Sequence, residues 1–261
     1  MDSIGDVAIE IHDHVALLEI QRPPNNFFDE DLINNLGDAF DLMDQTPEIR
    51  ALVLAAQGKH FCAGRNFASP ATARAREERT EESGNDLYSQ AVRLFAAKKP
   101  VIGAIQGAAV GGGFGLAVMP DFRVVSPQAR FTANFVKLGF HPGFGLTYTL
   151  PRLIGQQKAN LMFLTGRRID GKTALEWGLA DILTDADSLR ATALEFAAEI
   201  AENAPLALLS VRGTMREGLA EKVREQTDKE WTQQFKLQST NDHQEGIRAV
   251  AERRVGNFTG T

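Results

Sequence analysis

Apolar positions along this chain fall into short runs and helical-period stretches, divided by glycine- and proline-rich turns. The run VALLEI (15–20) is apolar until it meets RPPNN, so it reads as a strand entering a turn. Over 29–45, Leu32, Ile33, Leu36, Phe40 and Met43 recur at helical spacing, and Asp29 is placed to cap that helix. RALVLAAQG (50–58) predicts a buried strand that stops at Gly58, and KHFCAGRNFAS follows as a loop. LYSQAVRLFAAK (87–98) is an amphipathic helix, and KPVIGAIQGAA (99–109) a strand that runs into the helix opened by Gly111, Gly112 and Gly113. DFRVVS and ARFTANF read as short strands, GKTALEWGLAD as a helix and turn, and about 186–256 as a long helical stretch. This order predicts an α/β core over 1–200 and a helical region over 201–261. Within the first of these, 70–85 is highly charged and nearly without large apolar groups, which predicts a solvated surface segment; a lid over a site is the sharper alternative.

Composition narrows the classes. Apolar residues make up 43% and charged residues 24%, an ordinary globular balance, and no apolar run is long enough to span a bilayer. The N-terminal MDSIGDVAIEIHDH lacks a basic region, so no signal peptide is expected and a cytoplasmic location is the default. The net charge of −6, with no basic stripe, argues against nucleic acid. A lone cysteine, Cys62, excludes an internal disulfide and a cysteine metal site. His12 and His14, two apart on one face of a predicted strand and beside acidic residues, read as solvated, so no metal is expected.

Two loops share a design. FCAGRNF and GAAVGGGFG each follow an apolar strand and each bring glycine to a helix start. Peptide N–H groups there have no helical partner, and two of them converging from different strands make an oxyanion hole. Spacing alone leaves the simpler reading open, that these are tight turns.

Six stretches change that balance: RPPNNFFD, GKHFCAGRNF, KKPVIGAIQGAAVGGGFGLAVMPDFRVVSPQARF, LGFHPGFGLTYTLPRLIG, LTGRRIDGKTALEWGLAD and NDHQEGIRAVAERRVGNFTG. In that order they cover nearly the whole chain, which resembles the crotonase, or enoyl-CoA hydratase/isomerase, superfamily. The resemblance implies a spiral of ββα units, a helical C-terminal region that builds a homotrimer or homohexamer, and a coenzyme A thioester as substrate with no resident cofactor. It implies that the thioester oxygen sits on the backbone N–H groups of Arg65 and Gly112. It maps contacts to coenzyme A onto Asn26, Phe27, Ala63 and Phe67, and a reach into a neighbouring subunit's site onto Phe258. Where the family usually has a small residue and then Asp, this chain has Arg65 and Asn66.

The match breaks where the family's hydratases carry two glutamates. Those positions fall on Gly115 and Phe135, neither of which moves a proton. Phe135 is also the expected filler of the space beside Gly115. His141 in GFHPGFG is the best remaining base, against the simpler reading of a histidine tied to a backbone carbonyl. Asp121 reads as structural, Cys62 as an inert thiol, Tyr148 as packing, and Asn134 as a strand-end cap. Asn241 is the expected N-cap of the last helix, with Gln244 in its first turn. Two functions stay open: enolate chemistry without glutamates (isomerase, C–C hydrolase or lyase type), and an acyl-CoA-binding protein without catalysis.

Overall fold

A computed structural model of the chain describes residues 2–67, 69 and 86–261. The charged segment 70–85 lies outside them. A seven-stranded sheet contains β1 (Asp2–Ile4), β2 (Val7–His12), β3 (Val15–Ile20), β4 (Ala51–Ala56), β5 (Val101–Ile105), β7 (Phe122–Val125) and β10 (Ile182–Leu183) in that spatial order. β1, β2 and β3 pair antiparallel, and pairing is parallel from β3 onward. A three-stranded sheet holds β6 (Ala108–Val110), β8 (Arg130–Thr132) and β9 (Arg168–Asp170). The helices are α1 (Glu30–Asp44), α2 (Asp86–Ala96), α3 (Gly112–Val118), α4 (Leu146–Ile154), α5 (Gln156–Thr165), α6 (Gly171–Glu176), α7 (Leu189–Ala201), α8 (Pro205–Met215), α9 (Leu219–Gln238) and α10 (Asn241–Ala251). This is the expected α/β fold with C-terminal helices.

The unbroken apolar run of β4 follows from its place in the sheet. Leu52, Leu54 and Ala56 face the main core with α1 and α2, whereas Ala51, Val53 and Ala55 face a second core closed by α7. A parallel strand covered on both faces needs no polar alternation. Asp29 caps α1 as expected, its Oδ1 accepting from Leu32 N at 2.9 Å.

Several expectations change in detail. The stretch 99–109 is two strands in two sheets. The chain turns out of the first sheet at Gly107, whose φ is +56°, and a Cβ there would sit 2.0 Å from Lys59 O. Only RFT of ARFTANF is strand, because Asn134–Leu138 winds into a 3-10 turn. The helical stretch after 186 breaks into α7 to α10. The last helix is capped by Thr240, whose hydroxyl accepts from His243 N at 3.1 Å, and Asn241 instead reaches Thr261 Oγ1. His12 ends β2 beside Glu10, while His14 lies beyond the strand with Nδ1 2.7 Å from Glu48 O.

One link between core and C-terminal helices is ionic. Asp121 Oδ2 accepts from Arg212 Nε on α8 at 2.9 Å and from Val101 N at 2.8 Å, and its Oδ1 accepts from Arg216 at 2.8 Å. The structural role expected of Asp121 is this one.

A fully buried acid pins α9 to the core. Glu230 is fully buried and accepts from Gly145 N (2.8 Å), Thr147 N (2.9 Å) and Thr147 Oγ1 (2.5 Å), capping the start of α4 from another helix. Desolvation outweighs these bonds and pushes its carboxyl up to about 7. An acid with a raised folded pKa adds stability that is fully present below its ordinary value and is lost as pH rises through about 7. Urea unfolding at pH 5 and pH 8 should show Glu230→Gln flattening this slope relative to the parent chain, by up to about 3 kcal/mol. Parallel pH profiles for the two chains would show that Glu230 is ionised in both folded and unfolded states.

Candidate functional site

The two glycine loops do converge. Cys62 bridges Ala109 in parallel, with Cys62 N donating to Ala108 O at 2.9 Å and Val110 N donating to Cys62 O at 3.0 Å. The chain around Gly64 presses so close to β6 that a Cβ at Gly64 would lie 2.7 Å from Val110 O. A Cβ at Gly113 would meet Cys62 O at 2.3 Å. The glycines are therefore needed for two backbones to touch, beyond any need for a turn. Gly111 N donates to Thr132 O at 2.9 Å, while the next N–H, that of Gly112, has no acceptor among the described residues.

A cavity of about 630 Å³ opens over this junction. Phe27, Ala63, Arg65, Phe67 and Gly112 line it, so five of the predicted site residues meet at one place. Arg65 is mostly buried, with Nη2 3.7 Å from Glu30 Oε1. Asn26 is not in the lining. It is fully buried at φ +46°, accepts from Arg22 N, and donates to Gln57 O (2.8 Å) and His60 O (2.6 Å). Its part is to tie the first loop to the FCAG loop. Phe258 lies outside the lining and is 43% exposed. Cys62 is buried and desolvation pushes its thiol up to about 12, which keeps it protonated and inert.

Gly115 is sealed by Phe144, and not by Phe135 as expected. A Cβ at Gly115 would stand 2.6 Å from Phe144 Cβ and 2.7 Å from its Cγ. Phe144 holds a left-handed φ of +64°, rare for a bulky residue, and its ring packs against Phe28 and Phe95. Phe135 instead lies over Gly111, with Cζ 3.7 Å from the place of a Cβ there, and packs edge-on to Phe140.

His141 does not line the cavity. Its Nδ1 is 2.8 Å from Pro142 O, and its own carbonyl accepts from Gln234 Nε2 at 2.9 Å. The titratable groups that do reach the wall include Tyr88 and His243. Tyr88 donates to Gln234 Oε1 at 2.7 Å. His243 is buried against Phe140 and donates Nδ1–H to Leu138 O at 2.6 Å, a bond that leaves the lone pair of the neutral ring on Nε2.

The model for the family described as enoyl-CoA hydratase/isomerase matches residues 10–261. A carnitinyl-CoA dehydratase of Proteus mirabilis is 33% identical over 204 residues, covering 77% of each chain. The chain belongs to the enoyl-CoA hydratase/isomerase family. The mitochondrial enoyl-CoA hydratase of Pongo abelii is 30% identical over 250 residues, 94% of this chain and 83% of that protein. A crystal structure of an enoyl-CoA hydratase/isomerase from Pseudoalteromonas atlantica T6c superposes with a TM-score of 0.86 at 26% identity, covering 97% of this chain and 100% of that one.

In this member of the enoyl-CoA hydratase/isomerase family the C-terminal helices contribute to the cavity wall. Trp231 and Gln234 come from α9, and His243, Ile247 and Val250 from α10. The sequence pattern assigned the site no group from α9. The signal was there in Trp231 and Gln234, three apart on one helix face. Nothing local says which neighbour that face meets. Among the described residues no helix is long and apolar enough to cross a membrane, and no cluster of His, Cys, Asp and Glu is arranged for a metal.

Proposed function

We propose that this protein binds an acyl-CoA thioester with its carbonyl oxygen on the N–H groups of Arg65 and Gly112 and stabilises the thioester enolate there. The observation that carries this reading is the convergence of the FCAG and triple-glycine backbones at one end of a mostly apolar cavity. Each donor in such a hole contributes about 3 kcal/mol to stabilising an oxyanion. Phe27, Ala63 and Phe67 would flank the coenzyme A arm, with Asn26 setting the loop behind them.

The chemistry is not two-glutamate hydration. Gly115 and Phe135 stand at the positions the resemblance assigns to the acid and base, and Phe144 fills the space a carboxylate at 115 would need. Enolate reactions that call for other proton carriers fit better: double-bond isomerisation, or C–C cleavage of the hydrolase or lyase type. Tyr88 and His243 are the carriers at the wall, and His141→Ala is expected to leave turnover in place. The exposed Leu206, Val211 and Met215 of α8 and the outlying Phe258 suit assembly into a homotrimer or homohexamer.

A second reading, an acyl-CoA-binding protein without catalysis, is favoured by the same apolar pair at 115 and 135. Mass spectrometry of acyl-, enoyl- and 3-oxoacyl-CoA thioesters incubated with the protein in heavy water separates the two. Deuterium at the α-carbon, added water, or a shortened chain is the expected result. Retention of the thioesters with no mass change would replace the enzyme with the carrier.

A further inference from the structure

A second cleft, of about 790 Å³, lies at the carboxyl ends of β4, β5 and β7, with Val110 contributing to both cavities. In parallel sheets this is the edge where ligands bind. Its lining is cationic on a chain whose net charge is −6: Lys59, Arg130, Arg168 and Arg190 contribute to it, and Asp187 is the single acid among the described lining residues. Arg190 is already engaged by Glu19. Lys59 and Arg168 are exposed. Arg130 is held in place by the carbonyls of Pro127 (2.8 Å) and Ala129 (2.7 Å), both through Nη1, so the rest of its donor fork is available.

An independent observation points to a ligand. Ser126 lines the same cleft, is fully buried, and its hydroxyl has no hydrogen-bond partner among the described residues. Its backbone is fixed, with N donating to Ile105 O and O accepting from Ala129 N. A buried hydroxyl left unmatched is unfavourable, and an incoming acceptor oxygen would relieve it.

We propose that this cleft is a second binding site, separate from the acyl-CoA cavity, and that it takes a small phosphate-bearing anion. Phosphoryl oxygens accept from the Arg130 and Arg168 guanidiniums, from Lys59 and from the Ser126 hydroxyl. The guanidinium fork matches two phosphate oxygens at once, and the volume admits an anion the size of a nucleotide.

Isothermal titration of the full chain with inorganic pyrophosphate at low salt tests this. One saturable site per chain is expected, weakening as salt is added. Lys59→Gln with Arg168→Gln, both at exposed positions that leave the fold intact, should weaken it by roughly tenfold or more. Ser126→Ala should weaken it by a smaller factor. A saturating acyl-CoA should leave pyrophosphate binding unchanged, which keeps this test independent of the proposed enolate chemistry. No saturable heat, or full affinity in the double variant, would overturn the proposal. So would displacement by acyl-CoA, since the cleft would then serve the phosphates of coenzyme A itself.

Discussion

Gly115→Glu should destabilise this protein severely and create no hydratase. The new Cβ would lie 2.6 Å from Phe144 Cβ, and no side-chain rotation relieves a clash between two Cβ atoms. The backbone of the 141–145 turn would have to move. That turn is held at both ends by α9, through Gln234 on His141 O and Glu230 on Gly145 N. Overpacking and a carboxylate set in an apolar wall together cost roughly 4 kcal/mol or more. In a chain of this length that is a fall in Tm of about 10 °C. Gly115→Ala is the sharper control. In an open helix it would stabilise by about 1 kcal/mol. Here it should destabilise by about 1–3 kcal/mol, because the methyl alone meets Phe144. A raised Tm for the alanine variant would show that Phe144 does not hold that space.

The second large effect is expected at Asp121. Its carboxylate is the counter-ion of Arg212 and Arg216 and also accepts from Val101 N. Arg212 is 9% exposed, and its remaining bond goes to Ala97 O. Asp121→Ala would leave two arginines without their acid and one strand N–H without its acceptor. Removing one partner of a buried pair costs roughly 3–5 kcal/mol, far more than the pair contributes over apolar residues of the same shape. α8 should undock first, since its tie to β7 and β5 runs through this acid. Urea midpoints of Asp121→Ala, Arg212→Met and the double variant check it. The double variant should be less damaged than the single aspartate change. A loss below about 1 kcal/mol for Asp121→Ala would mean that solvent screens this cluster like a surface pair.

These two expectations mark the border of what one-dimensional reading reaches. The strands at 15–20 and 51–56, the helix at 30–44 with its Asp29 cap, and the two glycine loops were legible, while the meeting of FCAG with the triple glycine was implied by the resemblance alone. Periodicity and turn chemistry act within about ten residues, and the motif order carried the rest. The break of 99–109 at Gly107 was half-visible, because a glycine between two apolar runs signals a close approach without naming what approaches.

The wall of the cavity was not legible. Phe135 was the expected filler of Gly115, on grounds of register, yet Phe144 takes that place because a left-handed turn aims it inward. Three groups of α9 and α10 that shape the cavity, Trp231, Gln234 and His243, sit more than a hundred residues from the loops they cover. By itself the sequence determined most of the elements, the Asp29 cap and the two glycine loops, since each depends on local backbone preference. Only the tertiary structure decided which ring seals Gly115, which histidine reaches the cavity, and where cations gather at the sheet edge. Those depend on packing between distant segments, where burial and steric exclusion choose among side chains that look equivalent along the chain.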